Sequence, residues 1–190
     1  MSRCSDHYDR CGMGYRHSKE HILEGALLAV FDDGLSRLSF GRLARRLGIS
    51  DRTIVYYFPS KDDLIAEVLA SLGHRLQATL APTLTEPVDD HHQVVAKVWP
   101  LVASEDADPV FALFFEAAGL AAAGVEPYRD LAPRLTQGWI DWAASLVRGT
   151  SAHRRAEAAA AIAALDGLLL LRQLVGPDAA NRAARRIAAR

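Results

Sequence analysis

Apolar positions recur at helical spacing along nearly the whole chain. Ile22, Leu23, Ala26, Leu27, Val30 and Phe31 repeat at i, i+1, i+4 and i+5, and Asp33-Gly34 closes that stripe with a glycine suited to a helix C-terminus. Ser39 then stands where an N-cap belongs. It precedes a shorter amphipathic stretch with Phe40, Leu43, Ala44 and Leu47 on one side and Arg42, Arg45 and Arg46 on the other. Gly48 breaks this second helix, Ser50 caps a third, and Pro59-Ser60 ends the third and begins a fourth. The fourth carries Leu64, Ile65, Val68, Leu69, Leu72, Leu76 and Leu80. At about 20 residues it spans ~30 Å, given the rise of an α-helix. Pro82, Pro87 and Asp89-Asp90 mark a break, followed by helical patterns near 90–103, 107–122, 127–148, 151–175 and 178–189. No alternating β-branched run argues for a strand, and no fixed period repeats. The pattern predicts an all-α fold of about nine helices.

The third helix, within SDRTIVYYFPSK (50–61), has barely two turns and buries too little to exist for the core alone. Its exposed residues need another reason. Two short helices joined by the turn Leu47-Gly48-Ile49 form the local signature of a helix-turn-helix, whose second helix enters the DNA major groove N-terminus first. The side chains suit that role. Arg52 offers a bidentate fork for guanine, and Thr53, Tyr56, Tyr57 and Lys61 offer donors for phosphates. Ile54 and Phe58 point the other way, as anchors. Asp51 fits equally a base contact and a favourable charge at the helix N-terminus, and Tyr57 fits equally a phosphate contact and a core aromatic.

Charge sharpens this picture where composition does not. Half the residues are apolar, about a quarter are charged, and the formal net charge is −1, an ordinary globular profile. The distribution is uneven. Between Leu35 and Lys61 stand Arg37, Arg42, Arg45, Arg46, Arg52 and Lys61 against Asp51 alone, a balance of +5. Between Ser104 and Asp130 the balance reverses, with Glu105, Asp106, Asp108, Glu116, Glu126 and Asp130 against Arg129. A local basic patch on a near-neutral chain is what a polyanion-binding surface needs, although Arg42, Arg45 and Arg46 would also fit a solvated face.

These residues together resemble the DNA-binding domain of the TetR/AcrR family of bacterial transcriptional regulators. The resemblance runs from Ile22 to Leu64 and rests on Gly34, Ser39, Leu43-Ala44, Gly48-Ile49-Ser50, Thr53-Ile54-Val55, Phe58-Pro59-Ser60-Lys61 and Leu64. One departure stands out. Val55 occupies the place of the family's usual tyrosine, and Tyr57 that of a frequent histidine, so a phosphate contact is lost or moves to Tyr56 or Tyr57. The resemblance implies an N-terminal tail (1–17), a three-helix helix-turn-helix domain (18–64), and a C-terminal helical domain (65–190) for ligand binding and dimerisation. It implies a homodimer on a double-stranded DNA operator, with Ser39, Arg42, Ser50, Asp51, Arg52, Thr53, Tyr56, Tyr57 and Lys61 at the DNA. A ligand-responsive repressor is the expected function; the alternative is a helical interaction protein without specific DNA readout.

The C-terminal part supports those expectations in its own terms. Trp99, Phe111, Phe114, Phe115, Trp139 and Trp142 concentrate aromatic side chains on three consecutive predicted helices, the material of a pocket for a small apolar or aromatic effector and equally of an ordinary core. His91, His92, Glu116, Arg134 and Gln137 are candidate orienting groups. The segment 158–176 is apolar nearly all round, so both of its faces require cover. With Leu165, Leu168 and Leu169 on that helix, and Ala183 and Ile187 on the last, it predicts a four-helix isologous interface between two copies. Asp166 within it needs a partner.

Other chemistries find little footing. There is no Ser-His-Asp set, glycine-rich phosphate loop or recognisable carboxylate pair, so the chain reads as a non-enzyme without cofactor. Cys4 and Cys11, with His7, His17 and His21 nearby, match no zinc spacing and form no disulfide framework. No secretory signal is visible, and the apolar run Leu168–Leu171 is far short of a membrane span, which predicts a cytoplasmic protein without membrane contact.

Overall fold

A computed structural model describes residues 18–189; Cys4, His7, Cys11, His17 and the predicted tail 1–17 lie outside the described residues. Among these, nine α-helices follow one another: α1 (Lys19–Asp33), α2 (Phe40–Leu47), α3 (Asp51–Tyr57), α4 (Lys61–Leu80), α5 (His91–Val102), α6 (Asp108–Ala122), α7 (Tyr128–Ser145), α8 (Ser151–Val175) and α9 (Pro177–Ala188). The chain forms two compact units, the first ending at Leu69 and the second beginning at Ala70, a boundary within α4.

In the first unit the caps fall where the sequence places them. Ser18, Ser39 and Ser50 each accept, through Oγ, a hydrogen bond from the backbone N–H three residues on, satisfying donors that a helix start leaves open. Gly48 ends α2 in the left-handed region at φ +66°, where a side chain is penalised. Ile22, Ala26, Leu27 and Val30 of α1 are buried, with Leu43, Ala44, Ile54, Phe58, Leu64, Ile65 and Val68 from the following helices. Each large one contributes about 1.5–3 kcal/mol by leaving water. Phe31, read as part of the α1 stripe, is instead 39% exposed, because it sits at the edge of the helix's apolar arc rather than its centre. α1 and α2 approach closely at Gly25, where an added Cβ would come within 2.5 Å of Leu47 Cδ2.

The second unit is built around α8, which packs on α5, α6, α7 and α9. Its core gathers Val94, Val95, Val98, Trp99, Val102, Phe111, Leu168, Leu169, Ala180 and Ala184. A short 3₁₀ turn, Ala81–Thr83, follows α4. A parallel bridge between Val88 and Val147 then ties the approach to α5 to the end of α7, through Val88 N to Leu146 O (2.9 Å) and Arg148 N to Val88 O (2.8 Å). Arg172, 9% exposed, holds the start of α6 through two hydrogen bonds to Asp108, at 2.6 and 2.9 Å. By length and composition α8 is apolar enough to cross a membrane, which the short Leu168–Leu171 run did not suggest. The difference is the alanine content of its first half, which raises hydropathy without long side chains. Within the unit, its Ala158, Ala161, Leu168 and Leu169 are buried.

Candidate nucleic-acid interface

The geometry of α3 starts from its two anchors. Ile54 is fully buried and Phe58 is 1% exposed, so one side of a seven-residue helix is fixed against the first unit. Lys19 Nζ also lies 5.5 Å from the centre of the Phe58 ring, on its face. The opposite side is then presented outward. Asp51, Arg52 and Tyr56 are exposed, Tyr56 at 79%. Arg52 and Lys61 have no hydrogen-bonding or ionic partner among the described residues, which leaves both cations available to a ligand.

The remaining predicted contacts divide between capping and display. Ser39 and Ser50 are the N-caps of α2 and α3, and Ser50 Oγ also meets Thr53 Oγ1 at 2.9 Å, so these hydroxyls set the helix starts. Tyr57 is part-buried and meets Tyr56 edge-on, with ring centres 4.9 Å apart. Val55, at 43% exposed, occupies outward surface without a polar group, so the free hydroxyl on this face is that of Tyr56. Lys61 opens α4 beside a reciprocal cap. Ser60 Oγ accepts from Asp63 N (3.1 Å), and Asp63 Oδ2 accepts from Ser60 N (3.0 Å) and Oγ (2.7 Å).

On α2 the three arginines differ in availability. Arg46 pairs with Asp32 at 2.6 Å, and Arg45 Nε donates to Gly41 O at 3.1 Å. Arg42 has no side-chain partner among the described residues. Sequence reasoning treated them as one face, and the pairing across 14 residues carries no local signal that would have separated them.

In the second unit, Trp99, Phe111, Phe115, Trp139 and Trp142 come together in or against one apolar cluster. Trp139 and Trp142 meet edge-on at 5.4 Å, and Trp99 Nε1 donates to Asn181 Oδ1 at 2.9 Å. Phe114 is 37% exposed and touches Phe115 edge-on at 5.2 Å. His91 and His92 join helices. His91 Nδ1 lies 2.6 Å from Glu157 Oε2, and His92 Nδ1 lies 2.7 Å from Ile187 O. The His91 contacts hold the Glu157 carboxyl below its ordinary range.

Of the predicted interface residues, Leu168 and Leu169 are buried in the unit's own core, and Leu165, Ala183 and Ile187 pack against it. The outward side of α8 instead carries Ala163, Gly167, Leu170 and Leu174, with Leu174 at 75% exposed. Asp166 has no partner among the described residues, and burial alone pushes its pKa up to about 6. Among the described residues, no group of three or more His, Cys, Asp or Glu is placed to hold a metal ion.

Residues 22–68 match the family model described as bacterial regulatory proteins, tetR family. Among solved structures, the chain is similar to a transcriptional regulator from Rhodococcus sp. Rha1, with TM-score 0.69 and 20% identity, covering 90% of this chain and 93% of that one. It is similar also to a TetR transcriptional regulator from Legionella pneumophila, with TM-score 0.65 and 18% identity over 90% of this chain and 96% of that one. A third is the multidrug binding protein EbrR complexed with proflavin, with TM-score 0.63 and 21% identity over 90% and 99% of the two chains. No curated protein sequence matches.

Proposed function

We propose that this chain, whose residues 22–68 match the model of the bacterial regulatory proteins of the tetR family, is a member of that family and represses transcription by binding a pseudo-palindromic operator as a homodimer. The observation that carries the reading is the division of α3 into a buried side, Ile54 and Phe58, and an outward side with an unpaired Arg52. Such a helix is held rigidly and offers a fork to base edges. Ser39, Arg42, Thr53, Tyr56, Tyr57 and Lys61 are assigned to the flanking phosphates, and Ser50 and Asp51 to the start of the reading helix.

Two heads read two half-sites about one helical turn apart, ~34–36 Å, so a second copy is required. The open side of α8, Ala163, Gly167, Leu170 and Leu174, supports an isologous interface with α9, where small residues let backbones approach. Leu165, Leu168, Leu169, Ala183 and Ile187 then form the layer beneath it. The aromatic cluster around Trp139 and Trp142 supports a small effector with apolar or aromatic surface, as does the proflavin complex of EbrR. An effector releases the operator only to the extent that it binds the released state more tightly.

Arg52→Ala tests the assignment on a duplex from the region upstream of the protein's own gene. Measured by fluorescence anisotropy, the variant loses about 1–3 kcal/mol per half-site and no longer distinguishes one base pair in each. An unchanged preference at every base pair would refute the role given to Arg52.

A further inference from the structure

The first unit also holds a small concavity of about 100 Å³. Ala29 and Asp33 of α1, Arg37 and Leu38 of the α1–α2 connection, and Leu43 and two arginines of α2, Arg42 and Arg46, line it. Leu38 and Leu43 are buried and form a floor, while the three guanidinium groups stand at exposed positions. Asp33 is the only carboxylate in the lining, so the concavity carries a net positive charge.

The three cations are not equivalent. Arg46 is already neutralised by Asp32, whereas Arg37 and Arg42 have no partner among the described residues. Two unpaired guanidinium groups at one concavity repel each other and gain from a shared anion, which each can meet with parallel N–H donors. The volume of about 100 Å³ argues against a free small molecule, since small-ligand pockets run to roughly 300–1,000 Å³. A phosphate that arrives on a duplex already held elsewhere needs no enclosure, because tethering raises its effective concentration. Arg42 adjoins a residue assigned above to a flanking phosphate: its backbone N–H donates to the α2 cap, Ser39 Oγ, at 3.4 Å.

We propose that Arg37 and Arg42 clamp a DNA backbone phosphate at this concavity, extending the contact surface from α3 onto the α1–α2 side of the head. The inference rests on the DNA-binding reading above and adds to it a residue, Arg37, outside the helix-turn-helix. Arg37 is a positioning residue: it fixes the head's register on the duplex and reads no base. Arg46 contributes little while Asp32 holds it.

The test is binding of the upstream duplex and a scrambled duplex, each across a salt series, by the native chain, Arg37→Ala, Arg37→Gln and Arg37→Lys. Loss of one phosphate contact in each of the two heads lowers the slope of log K against log salt by about 1.8, and weakens binding about 60-fold at ~0.1 M salt. That result is expected for Arg37→Ala and Arg37→Gln on both duplexes, with the preference for the upstream duplex unchanged. Arg37→Lys keeps the slope. Native-like slopes in both neutral variants would overturn the proposal while leaving the DNA-binding reading intact, and would assign the concavity to an acidic protein partner or to solvent. A native chain without salt-dependent DNA binding would overturn both.

Discussion

Gly48 shows how a single backbone requirement sits under the reading helix. Its φ of +66° ends α2 and aims the chain toward α3, and no atom lies within 4 Å of where a Cβ would stand. A substitution there meets open space, so its cost is purely conformational. Gly48→Ala is expected to lower stability by about 1 kcal/mol, and Gly48→Asn by less, because asparagine tolerates the left-handed region better. Urea unfolding of the two variants measures the difference; equal stabilities would mean that the turn is not held in this conformation. This glycine, like Ser39 and Ser50, was legible in the sequence because capping chemistry is local. The separation of Arg46 from Arg42 was not, because Asp32 reaches it from another helix.

At the scale of helices, the boundaries follow from caps, prolines and apolar period, and they fall close to the predicted ones throughout. What the period could not supply is which side of α8 faces the unit's own core. A helix apolar all round has no marked direction, so Leu168 and Leu169 could not be distinguished from Leu170 and Leu174 by pattern alone. The Val88–Val147 bridge and the Arg172–Asp108 pair join residues too distant in sequence to show a local signal. Asp166, which an apolar helix leaves in need of a partner, has none among the described residues. Its folded pKa of about 6 lies above the unfolded value of 3.8, so the ionised form is the penalised one. Stability from this group is therefore present below pH 3.8 and lost as pH rises through about 6. Asp166→Asn should be more stable than the native chain at neutral pH by about 1 kcal/mol, after discounting for partial solvent screening, and the advantage should vanish near pH 4. Thermal unfolding at the two pH values reads this; an equal difference at both would contradict it. Glu157 acts in the opposite sense, its stabilising contact with His91 being lost as pH falls below 4.5.

For the whole molecule, the two units divide the proposed work, with the reading surface in the first and the pairing surface in the second. Leu174 lies 75% exposed and Leu170 41% exposed on the outward side of α8, beside Ala163 and Gly167. The proposed homodimer would cover that exposure with a second copy. Leu170→Glu with Leu174→Glu is expected to convert the dimer to a monomer in sedimentation experiments, because an isologous interface places each new charge in both copies. Operator affinity should fall with it. A dimer that survives both substitutions would move the interface elsewhere.

Operator recognition is tested most directly by binding of the native chain to DNA from upstream of its own gene across a salt series. Tight binding is expected, weakening linearly in log K against log salt and clearly preferring the upstream duplex to a scrambled one. Failure to bind either duplex even at low salt would contradict it, and would return Arg52, Tyr56 and Lys61 to a solvated helix face.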